Sequence, residues 1–130
     1  MRILYKLILL LMIASTLHSC VDKKLKGGYE IYSLNETSDL EIVYVDNQGN
    51  VLTVIEKDIL AVGQNGEFII VKQHPLDYKN VVYYYIIPLK NKISLNFEKN
   101  LIGPLVGTSF DDERLRLGVP KDLNFNVFEK

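Results

Sequence analysis

Residues 81–87, Val-Val-Tyr-Tyr-Tyr-Ile-Ile, constrain the fold more than any other stretch of the chain. Seven consecutive β-branched or aromatic side chains favour extended backbone. The run is too short to cross a bilayer as a helix, which takes about 20 apolar residues. Exposed to water, it would be a template for strand aggregation. It therefore predicts an inner strand covered on both faces. Residues 29–34, 40–45, 51–55, 59–62, 67–73 and 93–97 are further short β-prone runs, separated by polar and turn-forming residues. Asp-Asn-Gln-Gly-Asn at 46–50 predicts a hairpin, with Gly49 free to take positive φ. Asn65-Gly66 predicts a second, tighter one of type I′, which needs positive φ at both central residues. Pro75 ends the ladder that precedes it.

One helix is expected, over 108–117. Thr108 or Ser109 can cap its start, and Asp111, Asp112 and Glu113 favour the positive end of the helix dipole. Gly118 stands at the C′ position, with Pro120 beyond. About two turns cannot stand alone in water, so Phe110, Leu115 and Leu117 are expected to dock on the sheet. Residues 103–107, Gly-Pro-Leu-Val-Gly, read as a turn, and 123–128 as a last strand. The expected fold class is mainly β (α+β): a single twisted antiparallel sheet of about five or six strands with one short C-terminal helix.

The N-terminus carries a different signal. Arg2 and Lys6 flank the apolar run 7–14, a pattern of secretion leaders. Leu17-His18-Ser19-Cys20 follows and resembles the lipobox of bacterial lipoproteins. The resemblance implies cleavage between Ser19 and Cys20 and acylation of the Cys20 thiol. It divides the chain into a leader, 1–19, a lipidated polar tether, 20–28, and a β-rich domain, 29–130. An ordinary leader with a chance cysteine is the alternative. Cysteine usage favours the lipobox. Cys20 is the only cysteine, so no disulfide can form within the chain, and a free thiol is a liability in an oxidising compartment. Each buried CH₂ of an acyl chain contributes about 0.8 kcal/mol, and two or more chains anchor firmly. A nine-residue tether holds the domain within about 20 Å of the bilayer. Val21 is not the aspartate that marks inner-membrane retention in some diderm bacteria, so the resemblance implies the outer membrane, facing the periplasm.

Three further pieces have a familiar order: Glu67 to Pro75, then Tyr83-Tyr84-Tyr85-Ile86-Ile87, then Gly103-Pro104-Leu105 with Phe110 and Leu117-Gly118-Val119-Pro120. This order resembles a family of small bacterial lipoproteins catalogued only as a domain of unknown function. It departs from that pattern at Pro88, where an acidic residue and a turn are expected. The resemblance brings a strand-rich fold and a lipid anchor, and no activity or ligand.

The full-chain charge is −1 and no basic stripe is present, so no nucleic-acid partner is expected. His74, in Lys-Gln-His-Pro, is the only histidine beyond the leader, and the two readings of it are a strand-end residue and a general base. No Gly-x-Ser-x-Gly or His-Glu-x-x-His motif accompanies it. Neither a metal nor a cofactor is expected. Alternation places Tyr83 and Tyr85 on one face of a strand and Tyr84 on the other. Tyrosines combine an apolar body with a polar tip, so Tyr83, Tyr84, Tyr85 and His74 are candidates for a binding surface, or for cross-strand packing. Three functions follow: a monomeric, non-enzymatic envelope lipoprotein that contacts a protein partner, with a toxin-inhibiting immunity protein as one form; a hydrolase using His74 as base; and a carrier of a small ligand. Cys20→Ser is expected to leave an uncut or soluble product. Detergent partitioning and gel mobility unchanged from wild type would refute the lipobox reading.

Overall fold

The computed structural model describes residues 23–33, 39–78, 80–90 and 100–130. The tyrosine-isoleucine run forms strand β7 (Tyr83–Pro88), antiparallel to β6 (Phe68–Gln73), with Ile70 opposite Ile86 and Ile69 opposite Ile87. On the other side of β6 lies β5 (Ile59–Gln64). Two shorter strands flank this trio: β8 (Ile102–Leu105) beside β7 and β9 (Phe128–Glu129) beside β5. The order is β8-β7-β6-β5-β9, so the tyrosine strand is internal, as expected. A second sheet is a meander of β1 (Lys23–Lys24), β2 (Tyr29–Tyr32), β3 (Glu41–Val45) and β4 (Val51–Ile55). The expected strand over 93–97 lies outside the described residues.

The expectation of a single sheet of five or six strands is therefore corrected: among the described residues two antiparallel sheets form, one of four strands and one of five. The break falls at the link Glu56-Lys57-Asp58. Asp58 does not fold back along β4. Its N–H donates to the His74 carbonyl at 3.1 Å and its carbonyl accepts from the His74 N–H at 2.9 Å, which joins it to the end of β6. One backbone bond, Ile59 N–H to the Leu40 carbonyl at 2.9 Å, ties the sheets at this corner. The sheets then pack face to face. Tyr29, Ile31, Ile42 and Ile55 from the first meet Ile59, Val62, Ile69, Val71 and Ile87 from the second. The driving force is the two-sided apolar pattern of β6 and β7. Phe68, Ile70 and Ile86 face the opposite way and need their own cover, which Phe110, Val119 and Leu123 supply. The result is three layers, with the five-stranded sheet in the middle.

Helix α1 (Gly107–Leu117) is that cover. It ends as expected. Gly118 takes φ +75°, and the Val119 N–H donates to the Arg114 carbonyl at 2.9 Å, closing a Schellman motif. Its start differs. The N-cap is Val106, without a side-chain cap, and the first turn holds no acid, because the helix begins before Thr108 and carries the three acids into the second turn. Phe110 is buried, whereas Leu115 points to water at 76% exposure. Residues 102–105 are strand and not turn, because Gly103 lets the backbone pass where a Cβ would strike the Tyr84 carbonyl and the Tyr85 ring. The stretch read as a tether is built into the fold from Lys23 onward. Lys23 pairs with Ile31, Leu25 is buried, and Lys26–Gly28 forms a 3₁₀ turn. The final residues run along β5, Val127 N–H to the Val62 carbonyl and Lys130 N–H to the Leu60 carbonyl. They fit because Gly63 has no Cβ to strike the Asn124 carbonyl.

Both hairpins form. At 46–50, Gly49 takes φ +82° and the Asp46 carboxylate accepts from the N–H groups of Gln48 and Asn50 and from the Asn50 amide, each at 2.9 Å. These bonds, with the Asn50 amide foremost, hold the Asp46 pKa below its ordinary value. At Asn65-Gly66 the turn is not type I′, since neither residue takes positive φ. The Asn65 side chain organises it, its Oδ1 accepting from the N–H groups of Glu67 and Phe68 at 2.8 Å. Replacing Asn65 by Ala is expected to cost about 1 kcal/mol in urea denaturation. Gly66→Ala meets nothing within 4 Å and is expected to be neutral or slightly stabilising. A larger loss at Gly66 than at Asn65 would restore the primed turn.

Candidate functional site

The corner where β4, β5, β6 and β7 meet holds a polar arrangement that the tyrosine strand contributes to. Gln73 is the last residue of β6 and opposes Tyr83 across the ladder. This register puts Tyr85 diagonal to it on the same face. The Tyr85 hydroxyl donates to Gln73 Oε1 at 2.9 Å, and Gln73 Nε2 donates to the Glu56 carbonyl at 2.7 Å. Gln73 is only 5% exposed and Tyr85 8%. Strand β7, strand β6 and the link between the sheets are thus joined by one side chain. Burial, then Tyr83, then Glu56 push the Tyr85 hydroxyl above its ordinary pKa, so it remains a donor at neutral pH.

Above this floor is a cleft of about 360 Å³. Glu41 and Thr53 line it from the first sheet, Glu56 and Lys57 from the link, and Gln73, Pro75, Leu76 and Asp77 from the second sheet and the connection after it. Three acids against one lysine make its wall acidic. The connection is a tight turn, with the Tyr78 N–H donating to the Pro75 carbonyl at 3.3 Å. It displays Leu76 at 56% exposure and Tyr78 at 59%. Exposed apolar side chains next to a fixed polar floor can seat a partner group, with hydrogen bonds setting its orientation.

The structure does not gather the sequence-predicted residues into one surface. Tyr85 is in the core between the sheets, with half-buried Tyr83 packed against the same cluster. Tyr84 faces the helix layer and stacks on Phe110, ring centroids 4.5 Å apart at 15°. Half-buried His74 sits one residue beyond Gln73, with its backbone committed to Asp58. Asp58 in turn accepts from Lys130 Nζ at 2.6 Å through Oδ2, while its buried Oδ1 has no hydrogen-bond partner. Ser19 and Cys20 lie outside the described residues. Gln73, Glu56, Leu76 and Tyr78 were not singled out from sequence. The available signal was two apolar residues, Leu76 and Tyr78, in a connection that Pro75 had already marked as loop.

A second cleft, of about 300 Å³, lies beside α1 and is lined by Asp111, Arg114, Leu115, Val119 and Lys121. Its arginine is already committed. Arg114 Nη2 donates to the carbonyls of Pro120 and Leu123 at 2.7 and 2.6 Å, and the guanidinium lies 5.4 Å from the Phe110 ring centroid. Arg114 fastens the segment after the helix and holds Leu123 in the core.

Among the described residues no helix is long and apolar enough to cross a membrane, and no group of three or more His, Cys, Asp or Glu side chains is placed to hold a metal ion. A family model described as "Protein of unknown function (DUF3997)" matches residues 26–129. No curated protein and no solved structure matches the chain.

Tyr85→Phe is expected to lower stability by about 1–2 kcal/mol, since Gln73 Oε1 loses its buried donor. The raised Tyr85 pKa also sets a pH dependence. Its contribution is fully present below the unfolded value of about 10 and is lost as pH rises through the higher folded value. Denaturation midpoints recorded from pH 8 upward are expected to fall less steeply in Tyr85→Phe than in wild type. Parallel curves would refute this account of the site.

Proposed function

We propose, from the premise that the chain belongs to the DUF3997 family of proteins of unknown function, that it is a bacterial envelope lipoprotein acting by contact with a protein partner. The observation that carries this reading is the corner cleft. Leu76 lines it, exposed above a floor fixed by the Tyr85–Gln73–Glu56 bonds, and exposed Tyr78 follows on the same tight turn. Tyrosine is among the residues that carry most binding energy at protein interfaces, and Leu76 adds apolar area beside it. A preformed floor reduces the ordering cost of association. The anchor rests on the lipobox-like Leu17-His18-Ser19-Cys20, with acylation at Cys20 and an outer-membrane, periplasm-facing location. An inhibitor of a toxin is one form of this reading, and in that form the captured partner is the toxin.

The test is capture of the partner by the full-length protein, cross-linked in its own membrane. Leu76→Asp combined with Tyr78→Ala is expected to abolish capture, each position contributing on the order of 1–2 kcal/mol as interface anchors do. His74→Ala is expected to leave capture and cellular phenotype intact. Loss of phenotype in a His74→Ala protein that still folds and reaches the membrane would favour the hydrolase reading.

A further inference from the structure

The fold leaves almost no slack between its first strand and Cys20. Cys20 precedes Lys23 by three residues, a span of at most about 11 Å of extended chain. Lys23–Lys24 is already strand β1, paired to β2 at the outer edge of the first sheet. That edge is fixed to the rest of the molecule. Lys23 Nζ donates to the Val127 carbonyl at 2.8 Å, and the Lys26 N–H donates to Gln64 Oε1 at 2.9 Å. The β1 edge of one sheet therefore lies beside the β9 edge of the other. Lys23, Lys24 and Lys26 are all exposed there, and residues 23–29 contain no acid. Asp22 immediately precedes Lys23 in the sequence, and among the described residues Glu30, opposite Lys24 and half-buried, and Glu129 on β9 are the acids of this edge. Asp58, further along the same edge, is taken by Lys130.

Building on the acylation of Cys20 proposed above, we infer that the β1–β9 edge is the membrane-facing surface, with Lys23, Lys24 and Lys26 seated against anionic lipid head groups. The length of chain left to the anchor brings this edge to the head groups, and its lysines are opposite to them in charge. A free tether would let the domain tumble. A domain that begins three residues after its anchor is held at one edge. The opposite edge of the middle sheet, at β8, then lies about 19 Å further out, four strand spacings away.

The experiment uses the full-length protein purified from membranes and reconstituted into phosphatidylcholine vesicles with or without phosphatidylglycerol. Glu129→Cys on β9 and Val106→Cys beside β8 each add one free thiol for a donor dye, since an acylated Cys20 cannot react. Energy transfer to a head-group acceptor is expected to be higher from position 129 than from position 106 in the anionic vesicles. The difference is expected to shrink when Lys23, Lys24 and Lys26 are all changed to Gln, and again when phosphatidylglycerol is left out. Circular dichroism verifies that the variants fold, and the comparison of the two positions does not depend on the lysine variant. Equal or reversed transfer in an acylated protein, or a difference unmoved by the Gln variant, overturns the seat alone. An intact-mass measurement showing Cys20 unacylated overturns the lipoprotein reading, and the seat with it.

Discussion

Strand β6 has apolar side chains on both faces, and each other layer is held in place by covering one of them. Ile69 and Val71 point toward the four-stranded sheet, Phe68 and Ile70 toward the helix layer. Ile69, Ile70 and Val71 are completely buried. Each such side chain is worth about 1.5–3 kcal/mol on leaving water, so neither face can be left open. The first sheet supplies Tyr29, Ile31, Ile42 and Ile55 to one side. The helix and the segment after it supply Phe110, Val119 and Leu123 to the other. Neither cover is stable by itself. The helix has one buried residue, and the meander needs a partner for its apolar face.

This requirement explains what could be read in the sequence. Strand positions follow from β-branched and aromatic runs between turn residues, and those runs appear as β2 to β7 with small shifts at their ends. The division into two sheets could not be read, because it depends on which strand Asp58 joins. Ile55 and Ile59 look alike in composition whether the link between them turns back along β4 or crosses to β6. Two backbone bonds to His74 decide it, and a backbone bond has no residue signature. The Asn65-Gly66 pair shows a related limit. The pair marked the turn correctly, yet the asparagine side chain stabilises it, and glycine is not required for its φ.

The corner site shows the same division between local and tertiary information. Tyr83 and Tyr85 fall on one face and Tyr84 on the other, as period-2 alternation requires. What each face meets depends on the layer packed against it. Tyr85 became a buried donor because register placed Gln73 diagonal to it, and Gln73 found its other partner in the backbone of the link between the sheets. Leu76 and Tyr78 were legible only as loop residues. Their exposure beside a rigid floor appears once the strand ends are brought to one corner.

The way the middle sheet closes has a consequence for when the chain can fold. β9 is contributed by Phe128–Glu129, yet it pairs with β5 and borders the edge formed by Lys23 and Lys24. The first strand and the last are neighbours, and Gly63 leaves the groove along β5 open until residues 124–130 arrive. The β3–β4 and β5–β6 hairpins join residues close in sequence, whereas this edge joins residues 104 positions apart. Closing it carries the larger loop-closure entropy, so this edge is expected to form after the hairpins do.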